Sequence, residues 1–329
     1  MRSMVFAAAL CVASGALADD LYSNGPFITN PTGGTGTIAG LPISNPDPFT
    51  FPGVTGTFYT TGVAATVSTL TACAEDFTVP DGEEWDLDSI TLYAFQTSQT
   101  TATVQSIRIN LWTDAPFDAG SPPPLPDPLP LPVLGSPLVL PAGTGQFVCH
   151  RQGSATQTST VRPVFAYTVS LDGLPNGGRL GPGTYWIQWS FDGALTPSPN
   201  VFQPLVSPRT ARTGHNARLL NSLDGSSTGP RDWFEGREGY VAGVSDGRAY
   251  ELPFVLHGTS RPLPTCGSAD FNCDGDLGTD TDIESFFACL AGACPASPCS
   301  STADFNGDGD IGTDADIESF FRVLAGGSC

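Results

Sequence analysis

Residues 269–292 read ADFNCDGDLGTDTDIESFFACLAG, and residues 303–326 read ADFNGDGDIGTDADIESFFRVLAG. The two segments agree at 19 of 24 positions and are offset by 34 residues. Each segment alone is too short to bury an apolar face, so two such copies are expected to pack on each other as one small unit. The repeat therefore predicts a separate C-terminal domain at 266–329.

The front half of each repeat has the spacing of a calcium loop. Ca²⁺ prefers about six to eight oxygen ligands. The pattern D-x-[DN]-x-[DN]-G supplies oxygen ligands at alternate positions, followed by a glycine that permits a sharp turn. The predicted ligands of the first loop are Asp270, Asn272, Asp274 and the backbone carbonyl of Asp276. Those of the second loop are Asp304, Asn306, Asp308 and the backbone carbonyl of Asp310.

The last ligand of each loop is ambiguous, because position 12 is not a carboxylate in either repeat. A loop longer by one residue makes Asp282 and Asp316 the final ligands, directly before the helical pattern. The alternatives are Asp280 and Asp314. A competing interpretation treats the acidic stretches as solvated turns, but carboxylates this dense repel one another unless a cation neutralises them. Two bound Ca²⁺ ions are therefore predicted.

A helix is predicted after each loop. Apolar residues recur with the i, i+3, i+4, i+7 spacing of one helical face. They are Ile283, Phe286, Phe287 and Leu290 in the first repeat and Ile317, Phe320, Phe321 and Leu324 in the second. Gly292 and Gly326 are predicted to end the helices. We expect the two faces to form the core of the unit.

The cysteines favour disulfides. The chain has nine, and one lies in the N-terminal apolar run, which leaves an even number for an exported protein. Cys273 and Cys289 occur only in the first repeat, which suggests that they pair with each other. For the other cysteines near the repeats, the symmetric hypothesis gives Cys266–Cys294 and Cys299–Cys329. Cys73 and Cys149 are the two cysteines of the large N-terminal part and are predicted to pair with each other.

The tandem loops, each followed by one helix, resemble a type I dockerin. The flanking sequences CGSADFNCDGD and GGSC are similar to those of GC-type dockerins on exported bacterial proteins. The resemblance implies calcium-dependent folding and a docking or anchoring role toward a cohesin-like or other surface anchoring protein. It also implies partner recognition at loop positions 10 and 11. These are Thr279, Asp280, Thr313 and Asp314, whose identity between repeats would permit two binding orientations.

The N-terminus reads as a signal peptide at 1–18, with Arg2, a short apolar run and an A-x-A site at 16–18. The protein is therefore expected to be secreted or held at the cell surface, without a membrane helix. The formal net charge is −20 and lysine is absent. This charge disfavours nucleic acid and anionic membranes as partners, because phosphate would be repelled.

Residues 19–260 predict a mainly β domain, joined by a proline-containing linker at 261–265 to the repeats. Apolar residues alternate with polar ones, as at Ile107, Ile109 and Leu111, and turn sequences separate the alternating runs. Many short antiparallel strands favour a jelly-roll-like β-sandwich.

Three functions are compatible with the sequence of this domain: a structural or adhesive role, which is favoured, carbohydrate binding, and polysaccharide hydrolysis. Trp112 and Trp186 lie on the strand faces opposite the apolar sets, where they are candidates for stacking on sugars, whereas Trp189 is expected in the core. No catalytic constellation is identifiable, so an enzyme is disfavoured. His150, His215 and His257 are scattered, and the G-x-S-x-G strings at Ser227 and Ser245 lack a strand-turn-helix setting.

Overall fold

The computed structural model describes residues 19–50, 55–112, 138–141, 143–154, 157–172, 174, 178–194, 200–208, 216–222, 231–238, 248–262, 266–296 and 302–327. The predicted signal peptide, His215, Ser227, Ser245 and the pair Cys299–Cys329 lie outside these residues. The chain divides into two compact units. The β unit comprises Met1–Val79 and Trp85–Ser260, and the repeat unit comprises Pro80–Glu84 and Arg261–Cys329.

The described chain is mainly β, as the sequence predicts. In chain order the strands are β1 (Asp19–Ser23), β2 (Ile43–Ser44), β3 (Pro48–Phe49), β4 (Phe58–Tyr59), β5 (Val63–Ala64), β6 (Ala72–Val79), β7 (Glu83–Ala94), β8 (Ser106–Trp112), β9 (Leu138–Val139), β10 (Gln146–Arg151), β11 (Pro163–Ser170), β12 (Arg179–Leu180), β13 (Gly183–Asp192), β14 (Phe202–Gln203), β15 (Arg218–Ser222), β16 (Arg231–Glu235), β17 (Arg237–Glu238), β18 (Arg248–Ala249) and β19 (Phe254–Pro262). β19 runs to Pro262, so the first two residues of the predicted linker at 261–265 belong to this strand, and the remaining three lie outside the described chain.

Two large sheets organise these strands. Sheet I has the order β1-β19-β7-β11-β10-β2, with β12 also paired to β7. Sheet II has the order β16-β15-β6-β13-β8-β9. The pairs β1–β19, β7–β11, β10–β11, β6–β13 and β8–β13 are antiparallel, whereas β10 and β2 are parallel. The short strands form the pairs β3–β4, β5–β14 and β17–β18.

One hydrophobic core contains residues of both sheets. Period-two alternation sends Ile187 and Trp189 of β13, and Ile90 and Leu92 of β7, into the same buried cluster. Full burial of such side chains stabilises a fold by about 1.5–3 kcal/mol each. The predicted core position of Trp189 is confirmed, since this residue is fully buried.

The predicted disulfide Cys73–Cys149 is wrong, because both residues are buried free thiols. Cys73 lies on β6 of sheet II in the main core, whereas Cys149 lies on β10 of sheet I in a separate cluster with Phe27 and Val164. Burial raises the pKa of Cys73 well above its usual value and raises the pKa of Cys149 to about 12. Both thiols therefore stay protonated and weakly reactive at neutral pH.

A buried carboxyl interrupts the inward face of β6. Glu75 lies between Cys73 and Phe77 on the core side, is fully buried, and accepts a hydrogen bond from the backbone N–H of Leu252. Burial, followed by repulsion from Glu251, raises the pKa of Glu75 well above its ordinary value. The folded state therefore binds this proton more tightly than the unfolded state does.

Glu75→Gln should stabilise the β unit at neutral pH. Because the pKa of Glu75 is raised in the folded state, binding of its proton stabilises the fold. This stabilisation is complete below the unfolded-state pKa of about 4.3 and is lost as the pH rises through the folded-state pKa. A neutral amide removes this loss, so we expect a gain of about 1 kcal/mol or more at pH 7 and little change at pH 4. Thermal unfolding between pH 4 and pH 8 measures it. The exposed Asp172, changed to Asn, is the control, and equal pH profiles for wild type and Glu75→Gln would contradict the prediction.

The repeat unit contains the described α-helices, α1 (Asp280–Leu290) and α2 (Asp314–Leu324). Neither is long and apolar enough to cross a membrane. Gly292 and Gly326 follow the helices with φ of 92° and 80°, which confirms them as stops. Backbone bonds typical of a Schellman ending follow, from the Ala293 N–H to the Ala288 carbonyl and from the Gly327 N–H to the Arg322 carbonyl.

Four phenylalanines form the centre of this unit. Phe286 and Phe320 stack with ring centroids 4.1 Å apart, and Phe271 and Phe305 pack edge-on against them at 5.3 and 5.2 Å. All four are buried. The predicted core role of Phe287 and Phe321 is wrong, since each is 44% exposed and the two rings meet at the edge of the core, 6.3 Å apart.

The predicted pairs Cys273–Cys289 and Cys266–Cys294 are also wrong. Cys289, in the last turn of α1, is bonded to Cys294, because the left-handed Gly292 turns the chain back over the helix end. Cys266 and Cys273 are each disulfide-bonded as well. Repeat symmetry gives the wrong pairs because Cys289 and Cys294 lie on either side of the helix end, where the turn at Gly292 brings them together.

Candidate metal centre

The backbone of the two acidic loops follows the same path. Gly275 and Gly309, at the sixth loop position, both have φ of 93°, a left-handed conformation that favours glycine. Two residues earlier, Cys273 and Gly307 also share positive φ values, of 61° and 71°. The sequence differences between the repeats therefore leave the loop geometry unchanged, and a side chain is accepted at Cys273 where the second loop has glycine.

Asp282 closes the first loop. This residue is the third of α1, whose N-cap is Thr279. Its Oδ2 accepts hydrogen bonds from the N–H and hydroxyl of Thr279, at 2.8 and 2.9 Å, and its Oδ1 accepts one from the N–H of Phe271 at 2.9 Å. One carboxylate thus ties the beginning of the loop to the start of the helix.

Asp316 repeats this arrangement in the second loop. Its Oδ2 accepts from the N–H and hydroxyl of Thr313, at 2.7 and 2.9 Å, and its Oδ1 accepts from the N–H of Phe305 at 2.7 Å. Both closing aspartates are fully buried. Burial by itself would raise the pKa of Asp282 and of Asp316, but the hydrogen bonds from Thr279 and Thr313 and from the loop N–H groups outweigh it and hold each pKa below its usual value. Both groups are therefore carboxylates at neutral pH.

Each loop gathers three carboxylates around one point. In the first loop, Asp270, Asp274 and Asp282 each place an oxygen within 4.8 Å of the others. In the second loop, Asp304, Asp308 and Asp316 do the same. Like charges this close repel one another, so the arrangement favours a bound cation.

Hydrogen bonds from the loop backbone set the orientation of the first cluster. Asp270 accepts from the N–H groups of Asp274 and Gly275, at 3.0 and 3.1 Å. Asn272 Oδ1 accepts from the Asp274 N–H at 2.9 Å, and its amide donates to Asp274 Oδ2 at 2.9 Å. These bonds fold the oxygen-bearing side chains inward.

The second cluster contains an oxygen that lacks a protein donor. Asp304 Oδ2 accepts from the Gly309 N–H at 3.0 Å, but its Oδ1 is buried and finds no donor among the described residues. A buried carboxylate oxygen without a partner is unfavourable by several kcal/mol unless positive charge compensates it. Together with an all-oxygen donor set, this fits a hard cation such as Ca²⁺ better than a thiolate- or imidazole-bound metal.

The structure separates the two candidates for the last ligand. Asp282 and Asp316 belong to the clusters, whereas Asp280 and Asp314 are exposed first residues of α1 and α2 and lie outside them. The one-residue insertion places the closing carboxylate in the first turn of the helix, where the N-terminal N–H groups favour negative charge.

The other predicted ligands lie beside the clusters. The side-chain amide of Asn272 donates a hydrogen bond to the carboxylate of Asp274, and the amide of Asn306 donates one to Asp308. The side chains of Asp276 and Asp310 are exposed and outside the clusters, while their N–H groups donate to Asp274 and Asp308 at 2.9 and 2.8 Å. Their carbonyls as ligands stay a prediction.

The two described histidines of the β unit, His150 and His257, contact neighbouring side chains of that unit. His257 lies between the carboxylate of Asp20, at 2.7 Å from Nδ1, and the hydroxyl of Thr91, at 2.8 Å from Nε2. His150 packs against Phe147, with ring centroids 5.0 Å apart. Within the described residues, neither histidine joins a group that could hold a metal.

No protein-family model, curated protein or solved structure matches this chain. The resemblance to dockerins therefore stays a prediction that depends on the residues of the two repeats.

Proposed function

We propose that the repeat unit binds two Ca²⁺ ions and serves as a calcium-dependent docking tag for the β unit. The observation that carries this proposal is the pair of matching three-carboxylate clusters, one in each repeat. Asp270, Asp274 and Asp282, with Asn272, would hold the first ion, and the equivalent residues of the second loop would hold the other. Each ion would neutralise its cluster and fasten the loop to the following helix, so that calcium and folding are coupled.

We place the protein outside the cell, as a secreted or surface protein. The disulfide Cys289–Cys294 and the bonded state of Cys266 and Cys273 support an oxidising compartment. The buried thiols of Cys73 and Cys149 are compatible with this, since burial keeps them protonated.

The β unit is proposed as the structural or adhesive cargo of the tag. The strand order supports a jelly-roll sandwich: β1-β19-β7-β11 in sheet I and β6-β13-β8-β9 in sheet II carry eight strands that switch between two sheets over one core. Such a scaffold presents loops and sheet faces outward without requiring catalysis.

The docking surface is proposed to include the residues at the N-terminus of each helix. Thr279 and Asp280 precede and begin α1, and Thr313 and Asp314 have the same places at α2. Both aspartates are exposed and both threonines are half-buried. Equal presentation of the same pair by both repeats would allow one partner to bind in either of two orientations.

Replacing one of these pairs should leave docking almost intact, and replacing both should weaken it strongly. The experiment captures surface proteins of the producing cell on the full chain, in calcium and in chelator. The variants are Thr279→Ser with Asp280→Ala, Thr313→Ser with Asp314→Ala, and all four, so that the hydroxyl that bonds to Asp282 or Asp316 is retained. We expect a calcium-dependent partner whose affinity changes by about twofold or less with one pair and falls by about 100-fold with both. Capture that survives either the chelator or the fourfold variant would contradict the proposal.

A further inference from the structure

Four polar side chains form a hydrogen-bonded row across the outer face of sheet I. Thr91 of β7, His257 of β19 and Thr168 of β11 each alternate with residues of the main core, so they point away from it. Asp20 lies opposite His257 on the edge strand β1, and Thr168 lies opposite Thr91. The row therefore crosses four neighbouring strands, β1, β19, β7 and β11.

The contacts along this row are short. His257 Nδ1 is 2.7 Å from Asp20 Oδ1, and its Nε2 is 2.8 Å from Thr91 Oγ1. The hydroxyl of Thr168 lies 2.8 Å from the same oxygen of Thr91. An imidazole between a carboxylate and a hydroxyl is the arrangement by which hydrolases of unrelated folds activate a hydroxyl nucleophile.

The donor and acceptor roles follow from the two ends of the row. A carboxylate only accepts hydrogen bonds, so the Nδ1 that faces Asp20 carries the proton, and Nε2 of the neutral His257 ring is an acceptor. The hydroxyl of Thr91 therefore donates to Nε2, and the hydroxyl of Thr168 donates to Thr91 Oγ1. Thr91 Oγ1 keeps a lone pair for attack, and the proton that must leave already points at a base.

Solvent reaches this row. The side chain of Asp20 is 71% exposed and that of His257 is 20% exposed, while Thr91 is half-buried. Tyr93, two residues after Thr91 on the same face of β7, packs on Phe27 with ring centroids 4.7 Å apart. These rings give the face an apolar edge, so a substrate can reach Thr91 from outside with an apolar group against that edge.

We propose that this row is a hydrolytic site for neutral carboxylic esters, with Thr91 as the nucleophile and His257 as the general base. Thr91 Oγ1 attacks the carbonyl carbon of the ester while its proton passes to His257 Nε2. Collapse of the tetrahedral intermediate breaks the bond to the alcohol oxygen, which takes that proton as it leaves, and the acyl group stays on Thr91. A water molecule, deprotonated by the same nitrogen, then releases the carboxylic acid and restores the hydroxyl.

Thr168 and Asp20 support these two residues. The Thr168 hydroxyl, 2.8 Å from the attacking oxygen, is placed to donate to the oxyanion that develops on the carbonyl oxygen. Asp20 does not touch the substrate and is a positioning residue, because it holds the ring of His257 and its tautomer. The charge of Asp20 and the net charge of −20 repel anionic esters, so the substrate is of the neutral class.

The site lies within the β unit and is independent of calcium docking. Ester hydrolysis does not require the repeat unit to bind a partner, and its absence would leave the two carboxylate clusters unchanged. The two proposals can therefore fail separately.

The test measures hydrolysis of p-nitrophenyl acetate and butyrate by the full chain in calcium. A second assay uses a fluorophosphonate, which loses fluoride as Thr91 Oγ1 gives its proton to His257 and bonds to phosphorus. We expect mass spectrometry to find this label on Thr91. Thr91→Ser should retain both reactions, whereas Thr91→Val and His257→Asn should each lower kcat by about 100-fold or more.

Asp20→Asn should lower kcat by about tenfold or more and change KM by about twofold or less, because the imidazole is present but no longer held in its tautomer. The control is Thr78→Val. Thr78 of β6 and Thr184 of β13 form an exposed pair of hydroxyls 3.1 Å apart on sheet II, whereas the described histidines lie on sheet I. This variant should leave kcat within about twofold of wild type.

Thermal unfolding of each variant confirms that the fold is retained. Hydrolysis that survives Thr91→Val but not His257→Asn would show that the imidazole acts alone, and would overturn the proposal. A label on another residue, or hydrolysis by wild type no faster than by Thr91→Val, would also overturn it.

Discussion

Asp282→Asn should lower the calcium affinity of the first loop by about 100-fold, equivalent to about 2.7 kcal/mol. The variant replaces one oxygen of the three-carboxylate cluster by an amide nitrogen, which cannot bind a cation. It should also destabilise the metal-free repeat unit by about 1–3 kcal/mol, because the amide nitrogen replaces either Oδ1, which accepts from the Phe271 N–H, or Oδ2, which accepts from the Thr279 N–H, and one donor then faces another. Calcium titration calorimetry and thermal unfolding measure the two effects.

The matched control is Asp280→Asn, two residues earlier on the same helix turn. Asp280 is exposed and outside the cluster, so its loss should change the calcium affinity by about twofold or less. A larger effect from Asp280→Asn than from Asp282→Asn would show that the loop closes on Asp280 and would contradict the thirteen-residue loop that the structure shows.

Phe286→Ala should unfold the repeat unit or destabilise it by about 3–5 kcal/mol. The ring is fully buried, stacks on Phe320 at 4.1 Å and meets Phe271 and Phe305 edge-on. So small a core has no other aromatic layer to close the cavity. Hydrogen exchange of α1 and α2 in calcium measures the loss.

Phe287→Ala is the control for this core. The residue is adjacent in sequence but 44% exposed, so its removal should destabilise the unit by about 1 kcal/mol or less. Equal protection from exchange in Phe286→Ala and wild type would contradict the four-phenylalanine core.

The two loops should respond together to calcium. Gly278 of the first loop lies against Leu324 of α2, and Gly312 of the second loop lies against Leu290 of α1. A side chain at either glycine would approach the leucine methyl group within 3.0 Å. Since each loop packs on the other repeat's helix, an ion that orders one loop also supports the other site.

The sequence predicts the carboxylates of the two clusters better than the core. Ligand spacing is a local property, so Asp270, Asp274 and their counterparts could be assigned from the D-x-N-x-D-G pattern alone. The closing residue needed the structure, because the choice between Asp280 and Asp282 depends on where the helix begins. The N-cap at Thr279 makes Asp282 the third helical residue and turns its carboxylate back over the loop.

The helical period of apolar residues predicts only part of the burial in α1 and α2. It identified Phe286 and Phe320, but a stripe of apolar residues does not reveal its width, and Phe287 and Phe321 lie at its edge. Phe271 and Phe305 were missed, although the sequence carries a signal for them. An aromatic residue recurs at the second loop position in both repeats, where the loops of a pair face a shared core.

In the β unit, alternation predicts which face of a strand is apolar but not what the opposite face contacts. Trp112 and Trp186 both lie opposite the core residues, yet Trp112 is partly exposed while Trp186 is buried in a second cluster. The disulfides were beyond prediction for a similar reason. Pairing depends on distances such as those set by the reversal at Gly292, and no count of cysteines specifies them.

Calorimetric titration of the metal-free full chain with Ca²⁺ tests the central claim most directly. The account predicts saturation at two ions per chain, one for each three-aspartate cluster, and a reduction to one tight ion in Asp282→Asn. Absence of saturable calcium uptake, or unchanged uptake in Asp282→Asn, would contradict it.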